Sequence, residues 1–126
     1  MEKKFIRVVN RIYEVESEYY DVIEHKVKGY FIGETELIRT DQITAEADAI
    51  EKIVDGFYID DGGISSNNIY SKYDFTHFMF DFLNKYKDKE VRAYAFVKTY
   101  GGLKWVAELN KDGSLTLIPN VIAMMR

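Results

Sequence analysis

Asp74-Phe75-Thr76-His77-Phe78-Met79-Phe80-Asp81-Phe82-Leu83-Asn84-Lys85-Tyr86 is the stretch on which the fold turns. Phe75, Phe78, Met79, Phe82, Leu83 and Tyr86 recur at helical spacing and fall on one face. Asp74 stands where an N-cap is needed, and Lys85, Lys87 and Lys89 near the far end complement the helix dipole. A helix presenting phenylalanine and methionine along one side needs an apolar sheet to cover, so the flanking sequence is expected to supply one.

Downstream, Val91, Ala93, Ala95 and Val97 alternate with Tyr94, Phe96 and Tyr100, the pattern of a strand. Gly101-Gly102 permits a tight turn, and Leu103, Trp105, Ala107 and Leu109 alternate beyond it. Asn110-Lys111-Asp112-Gly113-Ser114 reads as a hairpin loop, with Gly113 at the residue that needs a positive φ, and Leu115 to Ile118 closes an antiparallel meander. Pro119, which lacks a ladder donor, ends it.

Upstream, Ser65-Ser66-Asn67-Asn68 is a loop, and Phe57 to Ile59 a brief strand stopped by Asp60-Asp61-Gly62-Gly63. From Thr44 the period is helical: Ala47, Ile50 and Val54 share a face, Thr44 is an N-cap, Glu46 and Asp48 suit the positive end of the dipole, and Asp55-Gly56 supplies a stop. Toward the N-terminus, alternation from Phe5 to Val15 predicts one strand, Glu16-Ser17-Glu18 a turn, and Tyr20 to Ile32 its hairpin partner. A third strand is expected around Leu37-Ile38. Together these elements predict one α+β domain over residues 1–126. Its antiparallel sheet, built from the N-terminal hairpin and the C-terminal meander, is covered on one face by two short helices.

Composition narrows the function classes. The chain has 126 residues, enough for one core without disulfides, and no cysteine, which removes thiolate chemistry and thiolate metal sites. No apolar run approaches the length of a membrane span, and the N-terminus lacks a signal-type apolar region, so a cytoplasmic location is expected. A net charge of −4 opposes general attraction to nucleic acid. The charge is uneven: Asp41 to Leu83 is rich in acids, and the chain after Asn84 is mildly basic.

Catalytic constellations are wanting. His77 and Asp81 have a workable two-ligand spacing for zinc, but a structural site wants more ligands, so a polar-face histidine beside an acid is the better account, and no metal or cofactor is expected. Asp60, Asp61, Asn67 and Asn68 supply oxygens without the EF-hand spacing, as an ordinary turn does. Ser65-Ser66 lacks the glycines of a nucleophile elbow, and Gly101-Gly102 is not followed by the lysine of a phosphate loop.

The run from Ala47 to Asp55, and the pattern Gly102-Leu103-x-x-Val106-Ala107-x-x-Asn110-x-x-Gly113, resemble segments of small uncharacterised proteins from phages and mobile elements of Gram-positive bacteria. The resemblance implies a regulatory or host-interaction role and carries no catalytic residues.

The expectation is therefore a non-enzymatic binding protein, an inhibitor or regulator acting through an acidic surface made by Glu46, Asp48, Glu51, Asp60 and Asp61, with a partner whose surface is basic. The alternative is a single-stranded nucleic-acid binder that uses Tyr94, Lys98, Tyr100 and Lys104 of the basic, aromatic meander, and the third reading is a small enzyme. Self-association through an exposed sheet edge is a further expectation, because a small sheet must protect or pair its edges.

Overall fold

The computed structural model describes residues 3–62, 68–86 and 90–118. The expected loop at 65–67, Lys87, Lys89 and Pro119 lie outside them. The chain forms two compact units, residues 1–49 and residues 50–126.

The first unit holds two three-stranded antiparallel sheets. One has β1 (Phe5–Val8) between β2 (Arg11–Glu14) and β6 (Ala45–Ala47). The other orders β3 (Ser17–Asp21), β4 (Lys26–Phe31) and β5 (Leu37–Arg39). Ile6, Tyr30 and Ile38 are buried together, with Val8, Tyr13, Val15, Val27, Ile32 and Ile43 packed around them. The third strand at Leu37-Ile38 forms as expected. The single strand predicted from Phe5 to Val15 is instead a hairpin, reversing at Val9 with φ 57°, and the run from Tyr20 to Ile32 lies across a second hairpin that turns at His25, also φ 57°. Neither turn has glycine at its left-handed residue, and that is why the alternation masked both.

The helix predicted from Thr44 does not form. Ala45, Glu46 and Ala47 pair with Arg7, Ile6 and Phe5 as a strand. Thr44 caps nothing; its N–H and Oγ1 donate to the Arg7 carbonyl at 2.8 and 3.0 Å, and Oγ1 accepts from the Val9 N–H at 3.2 Å. The physical reason is that β1, whose Ile6 is fully buried, has a second edge needing main-chain partners, and a short helix of ordinary propensity loses to that demand. Helical character survives only as the 3₁₀ turn Ile50–Lys52 in the second unit, where Ile50, Ile53 and Val54 are buried. The spacing thus marks core residues correctly and the wrong element.

The second unit is a five-stranded antiparallel sheet with one α-helix among the described residues. Its strand order is β11 (Leu115–Leu117), β10 (Gly102–Leu109), β9 (Arg92–Thr99), β7 (Gly56–Asp60) and β8 (Ile69–Ser71). The N-terminal strands do not join it, so the single shared sheet that was expected is three sheets. Helix α1 (Phe75–Lys85) follows Asp74, whose side chain makes no cap bond, and buries Phe78 and Phe82 as predicted. The Phe78 ring stacks on Phe57 of β7 at 4.8 Å. Large and small residues pair along that face of the sheet, Phe57 opposite Ala95 and Ile59 opposite Ala93. Lys111, in the β10–β11 loop, sets its ammonium 4.3 Å from the centre of the Phe82 ring.

Two local features shape this sheet. A Cβ on Gly56 would stand 2.5 Å from the Phe96 ring and 2.7 Å from the Tyr70 carbonyl, so only glycine lets these approach. Asp55 beside it is no helix stop; its carboxylate accepts the Lys98 N–H at 2.7 Å. The alternation predicted for β10 breaks at a bulge: Trp105 pairs with Phe96 but Ala107 pairs with Ala95, so Trp105 lies on the face away from α1 while Ala107 lies on the helix side.

Phe82→Ala is expected to destabilise the protein by about 3–5 kcal/mol, because it empties a buried aromatic site; chemical denaturation measures this. Gly56→Ala is expected to cost about 1–3 kcal/mol through overpacking against Phe96 and Tyr70, whereas Gly33→Ala, where nothing lies close, should be nearly neutral.

Candidate functional site

The five acids expected to form one surface do not share an element. Glu46 lies in β6 of the first unit, where its carboxylate takes a 3.2 Å ion pair from Lys4, whose ammonium also reaches the Tyr30 hydroxyl at 3.2 Å. Burial is small for Lys4, and the bond to Tyr30, followed by Glu46, raises its pKa. Asp48 is exposed just beyond the same strand. Glu51 is half-buried in the 3₁₀ turn of the second unit; Asp60 ends β7 and accepts the Gly62 N–H at 3.2 Å, and Asp61 accepts from Asn68 at 3.0 Å. With the helix absent, the spacing that made Asp48 and Glu51 neighbours has no physical basis.

The aromatics of the meander are largely spent on one another. On the face of the five-stranded sheet away from α1, Trp105 stacks on Tyr94 at 5.4 Å and on Tyr58 at 5.2 Å, with interplanar angles of 7° and 11°. Each such pair contributes about 0.5–1.5 kcal/mol beyond area burial, so opening the stack to a nucleobase carries that cost. The charges on this face alternate in sign, Arg92 standing across from Asp60 and 4.0 Å from Glu108. Lys98 and Tyr100 are exposed, Tyr100 fully so at the tip of the β9–β10 turn, and Lys104 is half-buried. Of the four residues, Tyr94 is thus engaged by Trp105, while Lys98 and Tyr100 are the exposed ones.

A polar cluster that sequence reasoning saw only in part sits between α1 and β8. Asp81 is buried, and its Oδ2 accepts the Tyr70 hydroxyl at 2.7 Å and lies 3.3 Å from His77 Nε2, with Lys85 Nζ 3.8 Å from the other oxygen. His77 and Asp81 do meet, as their spacing suggested. Among the described residues no group of three or more histidines, cysteines or acids is placed to hold a metal. The cluster joins the helix to an outer strand through one charge-assisted hydrogen bond. Burial, then the bond to the Asp81 carboxylate, pushes the Tyr70 phenol well above its ordinary value of 10.0.

The surface that sequence reasoning missed is the β3–β4 hairpin of the first unit. Tyr19, Tyr20, Val22 and Ile23 are 44%, 50%, 71% and 86% exposed, four large apolar side chains within five residues. Asp21 shapes the turn: its Oδ1 accepts the N–H groups of Ile23 at 2.9 Å and Glu24 at 3.1 Å, which fixes Val22 and Ile23 outward. Between Arg11 and Lys26 the chain carries five acids, Glu14, Glu16, Glu18, Asp21 and Glu24, and no lysine or arginine. Two adjacent tyrosines on a strand with acids on both sides were a legible signal, since adjacent strand residues cannot both face one core.

Tyr70→Phe is expected to cost about 1.5–3 kcal/mol near neutral pH, the usual worth of a hydrogen bond to a charged group. A phenol held neutral in the fold contributes stability that is complete below the unfolded value of about 10 and falls as pH rises beyond it. The gap between the parent protein and Tyr70→Phe should therefore narrow in denaturation series taken above about pH 10.

The chain matches no family model, no curated protein and no solved structure, so its function is read from its own surfaces.

Proposed function

We propose that the chain is a non-enzymatic protein-binding module whose interface is the β3–β4 hairpin, an acidic strand with an apolar tip. The observation that carries this reading is the exposure of Tyr19, Tyr20, Val22 and Ile23 on a turn fastened by Asp21. Exposed apolar residues scattered singly mean little, but four within five residues, Tyr19 and Tyr20 on opposite faces of β3 and Val22 and Ile23 on the turn at its end, have the composition of an interface centre, where tyrosine supplies large contact area at low entropic cost. Glu14, Glu16 and Glu18 form a charged rim beside it and favour encounter with a basic partner. The acidic character expected of the interface is thus retained on a different segment. A module of this kind acts by occupying its partner, as an inhibitor or regulator does.

Affinity capture from the native cell with paired variants tests the proposal. A protein retained by the parent chain and by Lys98→Glu/Lys104→Glu, but lost with Val22→Ser/Ile23→Ser, is the expected result. Both hairpin positions point outward, so the double substitution should leave the melting temperature within a few degrees. Capture of nucleic acid that is lost with Lys98→Glu/Lys104→Glu would transfer the function to the meander.

A further inference from the structure

From the position and charge of β3 we infer that its free edge takes up an extended, lysine- or arginine-bearing segment of the partner as an added strand. This rests on the protein-binding reading above and names how the partner is held. β3 is the outermost strand of its sheet, and among the described residues it pairs with β4 alone. Its outward main-chain groups therefore face away from the sheet, as a template for another strand.

The local geometry favours addition. Tyr19 pairs with Gly29 and Tyr20 with Val27, so the extra residue of the bulge, Lys28, belongs to β4, and β3 itself runs as five regular residues. Glu18 and Tyr20 lie on one face of the sheet, Ser17, Tyr19 and Asp21 on the other. An added strand would set its side chains directly beside these, where a cation meets Glu18 and an apolar or guanidinium group meets a tyrosine ring. The turn held by Asp21 keeps Val22 and Ile23 at the end of that track, so little ordering is left to be lost on binding.

Charge selects the occupant. A second copy of this chain, pairing β3 with β3, would double the carboxylates along one seam with no lysine or arginine between Arg11 and Lys26 to offset them. Glu16 and Glu18 form no ion pair among the described residues, so their charge is available to a partner. The same carboxylates that discourage self-pairing attract a basic strand.

The test uses the full chain and a labelled peptide of about eight residues alternating lysine and valine, long enough to span β3. Two controls have the same length: a glutamate–valine peptide, and the lysine–valine peptide N-methylated at alternate residues so that it cannot complete a ladder. The lysine–valine peptide is expected to bind about tenfold or more tightly than either control, to weaken with added salt, and to slow amide exchange in Ser17–Asp21. Glu16→Lys/Glu18→Lys should reverse the preference toward the glutamate–valine peptide. Equal binding of the N-methylated peptide, no discrimination by charge, or dimerisation in sedimentation that the peptide does not compete with would overturn strand addition. If the hairpin variants lose the captured protein while the peptides bind without discrimination, the interface stands and only strand addition falls. If the hairpin variants keep that protein, the interface reading falls first.

Discussion

A strand buried in the middle of a sheet must have its main-chain groups paired on both edges, because water cannot reach them. Among the strands flanked on both sides, β1 in the first unit and β7 in the second are the two whose demand most reshapes the sequence around them. β1 draws in residues 45–47 and so abolishes the helix that their periodicity would otherwise support. β7 lies between β9 and β8, and Gly56 at its start is the residue whose missing Cβ allows the Phe96 ring and the Tyr70 carbonyl to close in. Once β7 is fixed, Phe57 projects toward α1 and Tyr58 away from it, and the two faces of the sheet acquire their separate contents.

Those contents differ in kind. The α1 face is a packed core in which large aromatics meet alanines, and it closes with a buried carboxylate whose partners are a tyrosine, a histidine and a lysine. The opposite face is a stack of rings edged by charges of both signs. The rings on each face engage one another, and the run of four exposed apolar residues within five positions belongs to the hairpin of the first unit, while Tyr73 and Phe80 are exposed in the second.

Much of the second unit was legible because its signals are local. The face from Phe75 to Tyr86 follows from helical geometry, and Gly113, with φ 91°, sits where its hairpin needs it. What failed failed for non-local reasons. Thr44 to Val54 has helical spacing, but its fate is set by β1, nearly forty residues away in sequence. The bulge between Trp105 and Ala107 has no sequence marker, and it turned an apparent four-residue alternation into two opposed faces. At Val9 and His25 the left-handed turn residues are not glycine, so two hairpins read as continuous strands. The acids from Glu46 to Asp61 lose the common helix that their spacing implied, since Glu46 lies in a strand, Glu51 in a 3₁₀ turn and Asp60 at a strand end.

The chain holds one tryptophan, and that residue lies between two tyrosines on the sheet of the second unit. The first unit contains Tyr13, Tyr19, Tyr20 and Tyr30 but no indole. The molecule is therefore spectroscopically partitioned. Emission excited at the red edge of the indole band reports the larger unit alone, while phenol absorbance and far-ultraviolet dichroism report both. Coincidence or divergence of these signals along one denaturation curve would reveal whether the two halves melt as a single cooperative body or in succession.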